Sequence, residues 1–303
     1  MGPDTGQVEK WRPVIGNRAQ RVRQMSYAID EFNLERQRLL ARILDPVTER
    51  HLAALDIDRS GRWLDLGCGL GETTHLLTRY LGSSGECIGL EQNPALIEVA
   101  RAQAWGDRRV LFCEGDASAL PFDGDSFDFV FARFLLVHLE DPAAALREMF
   151  RVARPGALVF AQEPDLAFSC CYPSSPAYER MPGLCGRVVA DAQIGRKLVH
   201  LFRGAGAAAL QARGDIVIET EGADLRLIST MTFEAIGRAL VSAGDLQPAQ
   251  YESLRADFRQ VESDPGRVLI GNPIISVWGA ARAAVPVKIA NRGGTLPTLP
   301  AET

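Results

Sequence analysis

The run Trp63-Leu64-Asp65-Leu66-Gly67-Cys68-Gly69-Leu70-Gly71-Glu72 constrains this chain more than any other stretch of it. A short apolar strand runs into a turn with glycine at every second position, and an apolar-patterned helix over 72–81 follows directly. Glycine belongs where the backbone takes positive φ or where a ligand comes close. At the carboxyl end of the first parallel strand of an open α/β sheet, such a turn is a docking place for nucleotide-like ligands. The dinucleotide fingerprint G-x-G-x-x-G needs glycine at position 72, where this chain has Glu72. A nicotinamide enzyme is disfavoured on that ground.

Downstream the pattern alternates. Strands are predicted at 62–66, 87–91, 109–113, 127–132 and 157–163, with helices at 72–81, 94–105 and 142–153 between them. Pro94 and the pair Asp141-Pro142 mark two helix starts, and Pro155-Gly156 marks a stop. This alternation implies a parallel sheet with helices on both faces. An amino-terminal helix is expected over 33–54, kinked or broken at Pro46. Past Glu163 the rhythm changes: a Pro-rich insertion, a helix at 193–204, a strand at 214–220, helices at 232–243 and 248–262, and a last strand at 273–280. The expected organisation is a helical lid segment over 1–55, a core over 56–281 with cap insertions at about 164–212 and 222–272, and a disordered tail over 282–303.

With Asp65 two residues before the first glycine, Gly67-Cys68-Gly69-Leu70-Gly71 resembles the cofactor turn of the class I S-adenosylmethionine (SAM)-dependent methyltransferases. Three further segments follow at that family's spacing. The second strand ends in Glu91-Gln92, the third in Gly115-Asp116-Ala117, and Pro121-Phe122 with Ser126-Phe127-Asp128 leads into the fourth. Over roughly residues 27–281 the chain resembles the small-molecule, menaquinone-biosynthesis-like branch of that family. The resemblance implies a Rossmann-like, seven-stranded, mostly parallel sheet, with helical caps after strand five and between strands six and seven. It implies SAM as cofactor and S-adenosylhomocysteine as product. The glycine turn, with Cys68, would meet the amino-acid end of SAM and present backbone N–H groups. Glu91, with Gln92 beside it, would accept from the ribose hydroxyls, Asp116 from the adenine amine, and the Ala117 N–H would face a ring nitrogen. Arg133 is expected at the SAM carboxylate or in the pocket wall, and Tyr27 as a lid residue.

Transfer from a sulfonium is an in-line displacement, so alignment and exclusion of water matter more than acid–base help. Where the acceptor must lose a proton early, His138, Glu163 or Asp165 could take it. The aromatic and apolar content of the insertions, including Phe168, Tyr172, Tyr178 and Met181, suits an apolar small acceptor. The six cysteines form no C-x-x-C pair and no metal site is expected. A net charge of −5 argues against a nucleic-acid partner. The absence of a long apolar run and of a basic, apolar leader points to a cytoplasmic protein with no membrane partner, and a homodimer is allowed for. Two other classes stay open: an RNA or protein methyltransferase, and a SAM-fold protein with other chemistry, cyclase-like or a non-catalytic partner.

Overall fold

The computed structural model describes residues 31–103, 106–168, 170–219 and 224–281. Tyr27 and the 282–303 tail lie outside the described residues.

Helix α1 (Glu31–Ala54) leads into strand β1 (Arg62–Leu66), helix α2 (Glu72–Thr78) and strand β2 (Glu86–Glu91). Helix α3 (Pro94–Ala102), strands β3 (Val110–Glu114) and β4 (Phe127–Arg133), helix α4 (Pro142–Val152) and strand β5 (Ala153–Pro164) complete the alternating part. Then come β6 (Cys170–Tyr172), α5 (Pro176–Cys185), α6 (Ile194–Gly204), β7 (Ala208–Asp215), β8 (Ile218–Glu219), α7 (Asp224–Ser242), α8 (Pro248–Ser263), β9 (Val268–Ile270) and β10 (Ile274–Ala280). Seven strands form one sheet in the order β3-β2-β1-β4-β5-β10-β7. β1 to β5 pair in parallel, and β10 is antiparallel to both its neighbours. The expected mostly parallel α/β sheet is the one observed.

The strands are apolar on both faces because both faces are covered. Alternate residues go to opposite layers. Trp63, Phe129, Phe131 and Phe160 pack in one cluster, and Leu64, Leu66, Val130, Ala132, Val159 and Ala161 in the other. The first layer is a row of rings running across the sheet: Trp63 meets Phe129 edge-on at 5.1 Å, Phe131 stacks on Phe160 at 5.1 Å, and Phe160 on Trp278 at 5.6 Å. Each fully buried ring contributes roughly 1.5–3 kcal/mol of transfer free energy, which fixes strand register.

Three expectations change. α1 runs unbroken through Pro46, because Leu39, Leu44, Val47 and Leu52 bury one side of it and tertiary packing outweighs the lost hydrogen bond. The sixth strand of the main sheet is β7, earlier than 214–220, and α6 packs on β5, β7 and β10. α6 and β7 thus belong to the main sheet layer, within the stretch 164–212 that was expected as a cap insertion. The caps are also not purely helical. β6, β9 and β8 form a separate antiparallel sheet in which Leu269 faces Cys171 on one side and Glu219 on the other. Strands of two or three residues are too short to show a period in sequence.

The Asp141 and Asn93 side chains cap α4 and α3, accepting from the N–H groups of Ala144 and Ala95 at 2.9 and 3.1 Å. Gly71 starts α2 at φ +84°, and a Cβ there would lie 2.7 Å from the Phe112 ring. Gly71→Ala is expected to lower stability by about 1–3 kcal/mol through backbone strain, with the clash added. A shift of the urea midpoint checks this, and an unchanged midpoint would show that the turn relaxes freely.

Candidate active site

The carboxyl ends of β1, β2 and β3 gather the sequence-predicted cofactor residues on one edge of the sheet. Asp65 is buried, and its carboxylate accepts from the Thr74 hydroxyl at 2.7 Å, tying the strand to α2. Burial pushes its pKa up to about 6, against the hydrogen bond from Thr74. The Gly67 and Cys68 N–H groups both donate to the Leu90 carbonyl, at 2.8 and 3.0 Å, and the Gly71 N–H donates to the Cys68 carbonyl. The turn therefore spends these donors on itself and on β2, where free N–H groups were expected. What it offers is space. Gly69, at φ +54°, has, among the described residues, only the Gln37 amide oxygen within reach of an added Cβ, at 3.5 Å. Cys68 is buried, which pushes its thiol well above the usual range.

Glu91 ends β2 with both carboxylate oxygens already oriented. Oε2 accepts from the Gly69 N–H at 3.2 Å and Oε1 from the Asn93 N–H at 3.0 Å. Burial raises its pKa, and the N–H groups of Asn93 and Gly69 oppose the rise. A carboxylate has about four acceptor positions, so these N–H groups leave it with capacity for a diol. Gln92 beside it is exposed. At the end of β3, Asp116 is exposed and accepts from the Ser118 N–H at 2.8 Å, while Ala117 is buried beneath it. An oriented carboxylate, an open glycine and an exposed carboxylate stand on successive strand ends. That set fits a ribose, an amino-acid end and an adenine.

Two other residues sit differently from the sequence expectation. The Arg133 side chain is almost wholly buried, and its Nη1 donates to Asp45 at 2.9 Å and to Thr48 at 3.1 Å. Thr48 in turn donates to Gln162 at 2.8 Å, so this chain of bonds docks α1 on the sheet. Glu163 was expected to face the acceptor. It is fully buried, and its carboxylate accepts from the N–H groups of Leu135, Leu136 and Val137 at 2.9, 2.7 and 3.2 Å. The turn after β4 folds over the end of β5 and closes on this side chain. Glu163 thus holds the turn, and desolvation pushes its pKa up to about 8 although the three N–H donors pull it down. Asp165 is also engaged, in a two-pronged pair with Arg196.

The turn that Glu163 holds bounds two spaces. On one side the Leu135 side chain lies where a Cβ on Gly67 would go, 2.7 Å from its Cδ1. On the other, Phe134, Val137 and His138 line a cavity of about 170 Å³. Phe134 holds φ +54°, an uncommon state for a bulky side chain. α1 supplies Arg36, Leu40 and Leu44 to the cavity wall, and the caps supply Tyr178, Ile228 and Asn272. Of these the sequence marked Tyr178 for the acceptor side, and Leu40 and Leu44 only as part of the apolar face of α1. The wall comes from segments more than a hundred residues apart, which no local pattern joins. Among the described residues no group of side chains is arranged to hold a metal ion, and no helix is long and apolar enough to cross a membrane.

Residues 64–161 match a family model described as a methyltransferase domain. Over 136 residues the chain is 32% identical to a demethylmenaquinone methyltransferase of Staphylococcus aureus, covering 45% of this chain and 54% of that protein. It is 36% identical over 125 residues to an uncharacterized methyltransferase of Schizosaccharomyces pombe, covering 39% and 45%. The chain spans about half the length of these curated relatives. Among solved structures, YcgJ of Bacillus subtilis aligns with a TM-score of 0.53 at 21% identity, over 78% of this chain and 98% of that one. A putative methyltransferase of Bacillus halodurans gives 0.50 at 17%, with the same coverage. At these identities the likeness concerns the fold.

Proposed function

We propose that this chain, whose residues 64–161 match a methyltransferase-domain family model, is a class I enzyme that moves a methyl group from SAM to a small, largely apolar acceptor, leaving S-adenosylhomocysteine. The observation that carries the reading is the turn at 134–138. It separates the glycine edge from an apolar cavity, so one element borders both the cofactor side and the acceptor side.

When bound, SAM supplies an electrophilic methyl carbon on a sulfonium. Glu91 would hold the ribose hydroxyls, Asp116 and the Ala117 N–H the adenine, and the space over Gly69 the amino-acid end. Asp65 and Cys68 support that turn from below. Gln92 borders the ribose position and Arg133 fixes α1 above it. Tyr27, outside the described residues, remains the proposed lid. The cavity wall excludes water and aligns the acceptor, the main demand of an in-line displacement. His138 is the side chain we assign to proton removal where the acceptor needs it, since Glu163 is committed to the turn. The demethylmenaquinone methyltransferase named above supports a small-molecule acceptor. A cytoplasmic setting, the absence of a nucleic-acid partner and a homodimer belong to the same proposal.

His138→Ala is expected to lower kcat by about 10²–10⁴-fold while leaving SAM affinity unchanged. Turnover at various pH values and calorimetric SAM titration check it. A loss confined to folding stability would make His138 structural. The activity itself is tested with isotopically methyl-labelled SAM in fractionated extract. Label in a small molecule supports the reading. Label in RNA or protein replaces it with the macromolecular alternative. Intact SAM with no transfer to any fraction would favour other chemistry on this fold.

A further inference from the structure

One stripe of α1 faces the carboxyl end of the sheet. Successive turns of the helix place Gln37, Ala41, Asp45 and Thr48 along it. Two of its polar members are bonded: Asp45 accepts from Arg133 at the end of β4, and Thr48 donates to Gln162 in β5. The third, Gln37, stands over the glycine turn, where a Cβ built on Gly69 would lie 3.5 Å from its Oε1. Gln37 is half-buried, and its amide makes no hydrogen bond to any described residue, yet it is not sealed from solvent. The helix is pinned beside it: Arg38 pairs with Glu72, in the first turn of α2, at 3.8 Å, and Asp45 with Arg133 at 2.9 Å. The turn beneath has little to offer a ligand by way of donors. The Gly67, Cys68 and Gly71 N–H groups are spent on backbone carbonyls, and the Gly69 N–H on Glu91. An amide presents both an acceptor and two donors. The amino-acid end of SAM carries an ammonium and a carboxylate, and a hydrogen bond to either is of the stronger, charge-assisted kind.

We propose that Gln37 is a cofactor-binding residue whose amide hydrogen-bonds the amino-acid end of SAM, above a glycine turn whose own N–H groups are already spent. This inference rests on the reading of the glycine edge as the SAM site. It gives α1 a second role beside walling the apolar cavity: the helix that Arg133 and Gln162 dock on the sheet carries a polar group to the cofactor. Gln37 is assigned no part in moving the methyl group.

The test is calorimetric titration of the full chain with two ligands. S-adenosylhomocysteine has the amino-acid end, whereas 5′-methylthioadenosine keeps the adenine and ribose and lacks it. Gln37→Ala is expected to weaken S-adenosylhomocysteine about ten-fold and to leave 5′-methylthioadenosine unchanged. Glu91→Ala, at the ribose position, should weaken both. The unfolding midpoint of Gln37→Ala should stay at the wild-type value, because the amide has no bond to a described residue to lose. Unchanged affinity of Gln37→Ala for S-adenosylhomocysteine overturns the proposal. So does an equal loss for both ligands, which would make Gln37 a residue that only docks α1. If the wild-type chain binds neither ligand, the cofactor reading falls and the proposal with it. If wild type and Gln37→Ala bind S-adenosylhomocysteine equally, the proposal falls alone.

Discussion

Glu163→Ala is expected to destabilise the protein by about 3–5 kcal/mol, against a typical total of 5–15. The substitution leaves the N–H groups of Leu135, Leu136 and Val137 without their acceptor, and it opens a void at a fully buried position. Urea unfolding checks the size. A loss below about 1 kcal/mol would mean that the turn holds itself and would reopen Glu163 as a base. The pH dependence adds a second signature. In the folded protein burial lifts the Glu163 pKa from 4.5 to about 8, while the unfolded chain ionises it near its ordinary value. Between those values the native state holds the extra proton, so stability is fully present below the lower one and declines as pH rises through the upper. Asp65, raised to about 6, adds a smaller decline of the same sign at lower pH. The urea midpoint should therefore fall between about pH 5 and pH 9, and Glu163→Gln should flatten most of that fall. A midpoint that rises over this range would show a Glu163 ionised in the fold, its three N–H donors outweighing burial.

The second large effect is expected at Glu91. Glu91→Ala should weaken SAM binding by about 1–3 kcal/mol, roughly 5–150-fold, if the carboxylate accepts from the ribose diol. Glu91→Gln keeps one acceptor and loses the charge, so it should fall between wild type and alanine. Calorimetric titration with SAM measures both. Because the side chain also receives the Gly69 and Asn93 N–H groups, the unfolding midpoint must be followed in parallel. Unchanged affinity in a folded Glu91→Ala variant would remove this residue from the cofactor site.

The strand-end set proposed for the cofactor was legible because each of its residues sits at a strand end that sequence can place. Alternation of apolar strands and amphipathic helices locates β1 to β5 within a few residues, and a carboxyl end inherits its position from its strand. Glu91 and Asp116 needed nothing more. Glu163 also ends a strand, but its surroundings are set by a turn that crosses from β4, and no pattern within β5 announces three N–H donors from residues 135–137. Arg133 was placed correctly in the chain while its partners, Asp45 and Thr48, lie some 90 residues earlier on a helix whose docking is a tertiary fact.

Local sequence determined the sheet, the glycine turn and which residues stand at the strand ends proposed to hold the cofactor. Periodicity and steric rules for glycine and proline act over a few residues and are written in the order of the chain. The tertiary structure alone decided how α1 passes Pro46, how β6, β8 and β9 join two separate insertions, and which side chains meet around the apolar cavity. Those outcomes depend on burial between distant segments, where a proline's missing hydrogen bond or a three-residue strand is outweighed by what packs against it.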